Sequence, residues 1–164
     1  MKTPLLLLKH AAVFLCSIVL FVTSVQAQDD KKQKGQDIKQ LLDSKEYIFK
    51  AQQVTPSRGG ARQLTSEYDL RLLGDSLVAY LPYFGRAYSA PIDIKESGLQ
   101  FTSTNFGYEL STRKKGWDVV MRPKDVSSIQ QLVLMVSSSG RATLQVTSTN
   151  REPISFNGQV LSRY

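Results

Sequence analysis

The sequence has almost no thiol or imidazole chemistry: one cysteine, Cys16, and one histidine, His10, in 164 residues. Both lie within residues 1–27, a stretch with the features of a cleavable export signal. The chain that remains after cleavage, residues 28–164, holds neither. That excludes disulfides, thiolate nucleophiles, Ser-His triads, and zinc or haem sites built from Cys or His. The acid–base inventory shrinks to carboxylates, Tyr and Lys. Phosphate-binding and dinucleotide patterns are missing, as is an EF-hand loop. The acids form no recognisable pair, whereas a glycosidase holds two carboxylates about 5–10 Å apart. No apolar run reaches the ~20 residues that span a bilayer. No long helical pattern falls between strands, which disfavours parallel βαβ folds.

What is present begins with the signal. Lys2 and Lys9 make a positive start, Ala11 to Val22 is an uncharged apolar run, and Val25 and Ala27 suit the −3 and −1 positions of a cleavage site. Cys16 sits inside the apolar run behind Phe14-Leu15, which argues against lipid attachment. Cleavage takes two lysines and lowers the net charge from +7 to +5. The expected location is the periplasm or cell envelope, with no membrane span after cleavage. Residues 28–36 are polar or charged and cannot bury enough apolar area to offset ordering, so a flexible tether is expected there. Residues 37–164 suit one domain, given ~100–200 residues per domain.

Within that domain, Ile38, Leu41 and Leu42 keep helical spacing behind a possible N-cap, Asp37, and predict a helix over 37–45. From Tyr47 the period changes to two. Tyr68-Leu70-Leu72, Phe106-Tyr108-Leu110, Trp117-Val119-Met121, Ala142-Leu144-Val146 and Ile154-Phe156 each alternate with polar residues. Such strands have one buried and one wet face, as in antiparallel sheet. On this pattern Asp69, Glu109 and Asp118 fall on solvent faces. Gly74-Asp75, Lys115-Gly116, Ser138-Ser139-Gly140 and Asn150 to Pro153 supply turns. The fold class is therefore mainly β: an antiparallel meander of about eight strands, closed or half-closed as a barrel, with a short N-terminal helix. Asp125 is placed to cap one helical turn over Val126–Gln130. Thr-Ser-Thr-Asn occurs at 102–105 and at 147–150, where four common polar residues at strand ends point to coincidence or shared turn chemistry.

The densest aromatic stretch runs from Tyr80 to Tyr88. Aromatics make up 9% of the chain, which would put fewer than one in any nine positions; this stretch has four, Tyr80, Tyr83, Phe84 and Tyr88, beside Arg86. Pro82 and Gly85 interrupt a strand here, so the rings fall on a loop or rim. Two roles suit them: a contact surface for a ligand or partner, or a plug over an open barrel end. Arg113, Lys114 and Lys115 sit at a predicted hairpin tip next to Trp117, where a basic patch suits an anion and a solvated turn is the plainer account. Arg58-Gly59-Gly60-Ala61-Arg62 is most simply an interstrand loop.

Several segments together resemble a known family: RQLTS with YDL from Arg62, YLPYFGRAYSAP from Tyr80, FTST from Phe101, RKKGW from Arg113, and PISFNG from Pro153. On these the chain is similar to the bacterial domain-of-unknown-function 4251 family over about residues 46–161. The resemblance implies a small exported protein of Gram-negative bacteria with a lipocalin-like barrel and a preceding helix. It carries over no activity, cofactor or catalytic residue. The expected function is a non-enzymatic periplasmic or envelope binding module, a monomer without cofactor, metal or nucleic acid, its partner an envelope lipid, glycan or protein. The alternatives are a structural or inhibitor protein engaging an acidic envelope enzyme and, behind it, a carboxylate-based hydrolase.

Overall fold

Nine strands, most of them with period-two burial, make up the computed structural model, which describes residues 34–86, 88 and 98–163. They are β1 (Glu46–Pro56), β2 (Arg62–Leu73), β3 (Ser76–Leu81), β4 (Leu99–Ser103), β5 (Phe106–Arg113), β6 (Gly116–Pro123), β7 (Ile129–Ser137), β8 (Arg141–Ser148) and β9 (Ile154–Ser162). The export signal and most of the tether lie outside the described residues. No described helix is long and apolar enough to cross a membrane.

The strand order is β4-β3-β2-β1-β9-β8-β7-β6-β5, and every pairing is antiparallel. In a row of nine alternating strands the first and last point the same way. Those two, β4 and β5, are joined by Thr104 and Asn105 alone. They act as one long strand broken in the middle: its first half pairs with β3 and its second half with β6. The meander thus makes eight up-and-down runs and closes almost completely on itself, which protects sheet edges. The eight runs match the expectation; the short run Leu99–Ser103 adds the ninth strand.

Asp125 holds the break. Its carboxylate accepts hydrogen bonds from the Ser103 hydroxyl, the Thr104 amide (2.9 Å) and the Asn105 amide (3.1 Å). The Lys124 amide donates to the Asn105 carbonyl at 2.8 Å. The helical turn expected over Val126–Gln130 does not form: residues 127–128 are a turn and Ile129 opens β7. Asp125 spends its acceptors across the fold instead of on the amides that follow it. The second Thr-Ser-Thr-Asn stretch reaches the same connection, with Thr149 donating through its hydroxyl to Ser127 (2.9 Å) and its amide to Ser128 (3.0 Å). The two stretches therefore bond differently, the first to a side-chain carboxylate and the second to backbone carbonyls.

These hydrogen bonds, led by the one from Ser103, hold the Asp125 carboxyl below its ordinary pKa. A depressed folded-state pKa stabilises above the unfolded value near ~3.9 and is lost as pH falls through the folded value. Asp125→Asn should therefore flatten the acid limb of the melting temperature against pH below about 4. It should also speed exchange of the Thr104 and Asn105 amides; an unchanged acid limb would show that the carboxylate is not what holds the break.

The interior is packed with side chains. Phe49, Leu72, Met121, Leu134, Leu144 and Phe156 are fully buried in one apolar cluster. Helix α1 (34–44) adds Ile38 and Leu42 to it. It starts at least three residues before the predicted 37–45, so Asp37 lies within the helix and not at its cap, and residues 34–36 of the expected tether are helical. This added first turn runs close to the barrel: a Cβ on Gly35 would lie 3.6 Å from Ser138 and 4.0 Å from the Trp117 indole. Lys45 ends the helix in the left-handed region, with φ of 56°. The Tyr108 hydroxyl donates to the Leu42 carbonyl at 2.7 Å and ties the helix to β5. The helix therefore caps the barrel end that carries the β5–β6 and β7–β8 hairpins.

One solvent-face expectation is corrected. Asp69 is only 8% exposed, because Arg71 folds over it and donates at 2.9 and 2.7 Å to one carboxylate oxygen. Glu109 and Asp118 pair with Arg122 (2.7 Å) and Arg113 (3.0 Å).

Candidate functional sites at the two barrel ends

The aromatic segment leaves β3 at Leu81 and crosses the barrel end opposite α1. Its residues separate into two roles. Tyr83 turns inward, half-buried against the core. Its hydroxyl donates to the carbonyls of Arg86 (2.7 Å) and Glu152 (3.0 Å). The Arg151 guanidinium lies 5.0 Å from its ring centroid. Burial first, then the negative charge of Glu152, pushes the Tyr83 phenol above its ordinary pKa. Gly85 permits this placement, since a Cβ there would sit 2.6 Å from the Tyr83 hydroxyl oxygen.

Tyr80, Phe84 and Tyr88 stay outside, 48%, 45% and 69% exposed, and are the exposed large hydrophobics of the described residues. Tyr80 stacks on Tyr68 with ring centroids 5.6 Å apart. The Arg62 guanidinium lies 5.8 Å from the Phe84 ring centroid. Arg86 is exposed, and its carbonyl accepts from the Glu152 amide at 3.1 Å as well as from Tyr83. The Tyr88 amide donates to the Asn150 carbonyl at 2.8 Å. The β8–β9 turn therefore pins the segment while three rings face solvent. The segment divides between neighbours: Tyr83 is half-buried against the core, and Tyr80, Phe84 and Tyr88 form an exposed rim.

At the helix-capped end, Arg113, Lys114 and Lys115 lie exposed at the β5–β6 turn, as expected. They line a groove of about 660 Å³. Trp117 forms part of its floor, and Lys34 of α1 and Arg141 of β8 extend the positive charge around it. Lys34, Arg141 and Arg151, the last beside the Tyr83 ring, are not legible as site residues, and Arg62, beside the Phe84 ring, is legible only as the end of the Arg58–Arg62 loop. Each comes from a distant part of the chain, and only strand order brings it in. No group of three or more His, Cys, Asp or Glu suited to a metal occurs among the described residues.

Fold and sites together define a small up-and-down β-barrel, stoppered by a helix at one end and an aromatic loop at the other. The chain belongs to the family described as Domain of unknown function (DUF4251), whose model matches residues 29–160. Its structure is similar to the crystal structure of a DUF4251 family protein from Bacteroides eggerthii DSM 20697 at 1.95 Å resolution. That likeness has a TM-score of 0.57 and 16% sequence identity, covering 79% of this chain and 87% of the other, and it concerns the fold. No curated protein matches.

Proposed function

We propose that the protein is a non-enzymatic binding module of the bacterial cell envelope, exported by its N-terminal signal, whose rim of Tyr80, Phe84 and Tyr88 is the contact surface. One observation carries this: the exposed large hydrophobics of the described residues all fall in a single nine-residue stretch, Tyr80 near the end of β3 and Phe84 and Tyr88 on the loop that follows, which is fastened to the β8–β9 turn. Exposed aromatics offer large contact area for little rotamer entropy, and the tyrosines add hydroxyls. Fastening the loop beforehand lowers the ordering cost of binding. A Phe84→Ala, Tyr88→Ala double variant should fold with stability within about 0.5–1 kcal/mol of the parent, as surface changes do. It should lose co-sedimentation with isolated bacterial envelopes. Undiminished co-sedimentation by the folded double variant would remove the rim as the contact surface.

A further inference from the structure

We infer that the groove at the helix-capped end binds a phosphorylated saccharide, at a site separate from the aromatic rim. Three parts of the chain bring cations to one concavity: Lys34 from α1, Arg113 to Lys115 from the β5–β6 hairpin, and Arg141 from the start of β8. Arg113 has a partner in Asp118 at 3.0 Å. Lys34, Lys114, Lys115 and Arg141 form no ion pair among the described residues. Like charges gathered without counter-charge repel, and a bound anion relieves that repulsion. Ammonium and guanidinium groups are the natural donors to phosphate oxygens, through charge-assisted hydrogen bonds.

The rest of the lining suits a sugar more than a bare ion. Trp117 supplies an aromatic surface on which the C–H face of a pyranose can pack. Ser138 adds a hydroxyl that both donates and accepts, and the Ser139 hydroxyl, whose proton goes to Ser137, adds an acceptor. Ser137 is already committed to the hairpin, donating to the Arg141 carbonyl at 2.9 Å and lying 2.9 Å from the Ser139 hydroxyl. The β7–β8 hairpin tip lies against Ile38 of α1, whose Cδ1 a Cβ on Gly140 would approach to 3.1 Å. The volume, about 660 Å³, lies within the ~300–1,000 Å³ usual for small-ligand sites.

Trp117 is the one tryptophan of the chain, so intrinsic fluorescence of the full protein reports on this groove. Glucose 1,6-bisphosphate should shift its emission saturably, and inorganic phosphate at equal concentration should not. A Lys114→Glu, Lys115→Glu variant and an Arg141→Glu variant should each bind about tenfold or more weakly, as loss of charge-assisted contacts implies. All of these positions are exposed turn or strand-end residues, so the variants should fold. Vesicles carrying a phosphorylated glucosamine lipid form a second arm. Tighter saturation by the vesicles assigns the ligand to a lipid headgroup, and tighter saturation by the free sugar assigns it to a soluble sugar phosphate. No saturable shift with either probe, an equal response to inorganic phosphate, or undiminished binding by the charge-reversed variants would overturn the site. The Phe84→Ala, Tyr88→Ala variant should bind like the parent; loss of sugar phosphate binding there would also overturn it.

Discussion

Gly158→Ala is expected to destabilise the barrel by about 3 kcal/mol or more, enough to remove much of the stability of a small domain. Gly158 lies in β9 opposite Ala51 of β1, where the β1–β9 register shifts between Ala51 and Gln53. A Cβ built there would stand 1.9 Å from the Lys50 carbonyl oxygen, 2.9 Å from the Lys50 carbonyl carbon and 3.1 Å from the Ala51 Cα. All three are backbone atoms, so no side chain can rotate to make room. The strands would have to part, and their pairing joins the first strand of the meander to the last. Opening that seam converts a nearly closed barrel into a sheet with two long unpaired edges. Gly60→Ala is the matched control. Nothing lies within 4 Å of a Cβ at Gly60, so its stability should stay within about 0.5 kcal/mol of the parent. Chemical denaturation of the two variants checks this; equal midpoints would mean that β9 can shift away from Lys50.

The contrast between those glycines shows what the residue pattern carried and what it did not. Alternation at period two is a local signal, and it located the strands around Leu70, Val119, Leu144 and Phe156 because each residue's face depends only on its neighbours. The break at Thr104–Asn105 carries no such signal. The carboxylate that holds it, Asp125, lies 20 residues beyond Asn105 in sequence. Asp69 illustrates a related limit: alternation puts it on a solvent face, but the pattern says nothing about what covers a residue there, and Arg71 folds over this one. The groove was half legible. Arg113 to Lys115 are contiguous and stand out as a charge run; Lys34 and Arg141 join them only because α1 caps the end where β8 begins. The Gly59-Gly60 loop, conspicuous in sequence, has open space at both glycines, whereas Gly158 gives no local sign that two backbones meet there.

The aromatic segment gives the second large effect, and it separates residues that composition cannot tell apart. Tyr83→Ala should destabilise by about 2–3 kcal/mol, below the range for a fully buried ring because Tyr83 is half-buried. The loss combines apolar contact with the core and the hydroxyl hydrogen bonds to the Arg86 and Glu152 carbonyls. Tyr83→Phe keeps the ring and removes only the hydroxyl, so it should cost about 1 kcal/mol. Phe84→Ala removes an exposed ring whose close partner is the exposed Arg62, and should shift stability by no more than about 0.5–1 kcal/mol. The expected order of denaturation midpoints is therefore Phe84→Ala, Tyr83→Phe, Tyr83→Ala, from highest to lowest. That order would assign the stopper to Tyr83 and leave its neighbours free for contact. If Phe84→Ala fell as far as Tyr83→Ala, the whole segment would be structural and the rim would lose its claim as a binding surface. The alkaline limb offers an independent check on Tyr83. Its pKa is raised in the fold, so its contribution is full below the unfolded value near ~10 and is lost as pH rises through the folded value. Tyr83→Phe should remove that part of the alkaline loss, while Phe84→Ala, which changes no titrating group, should leave the limb as it is.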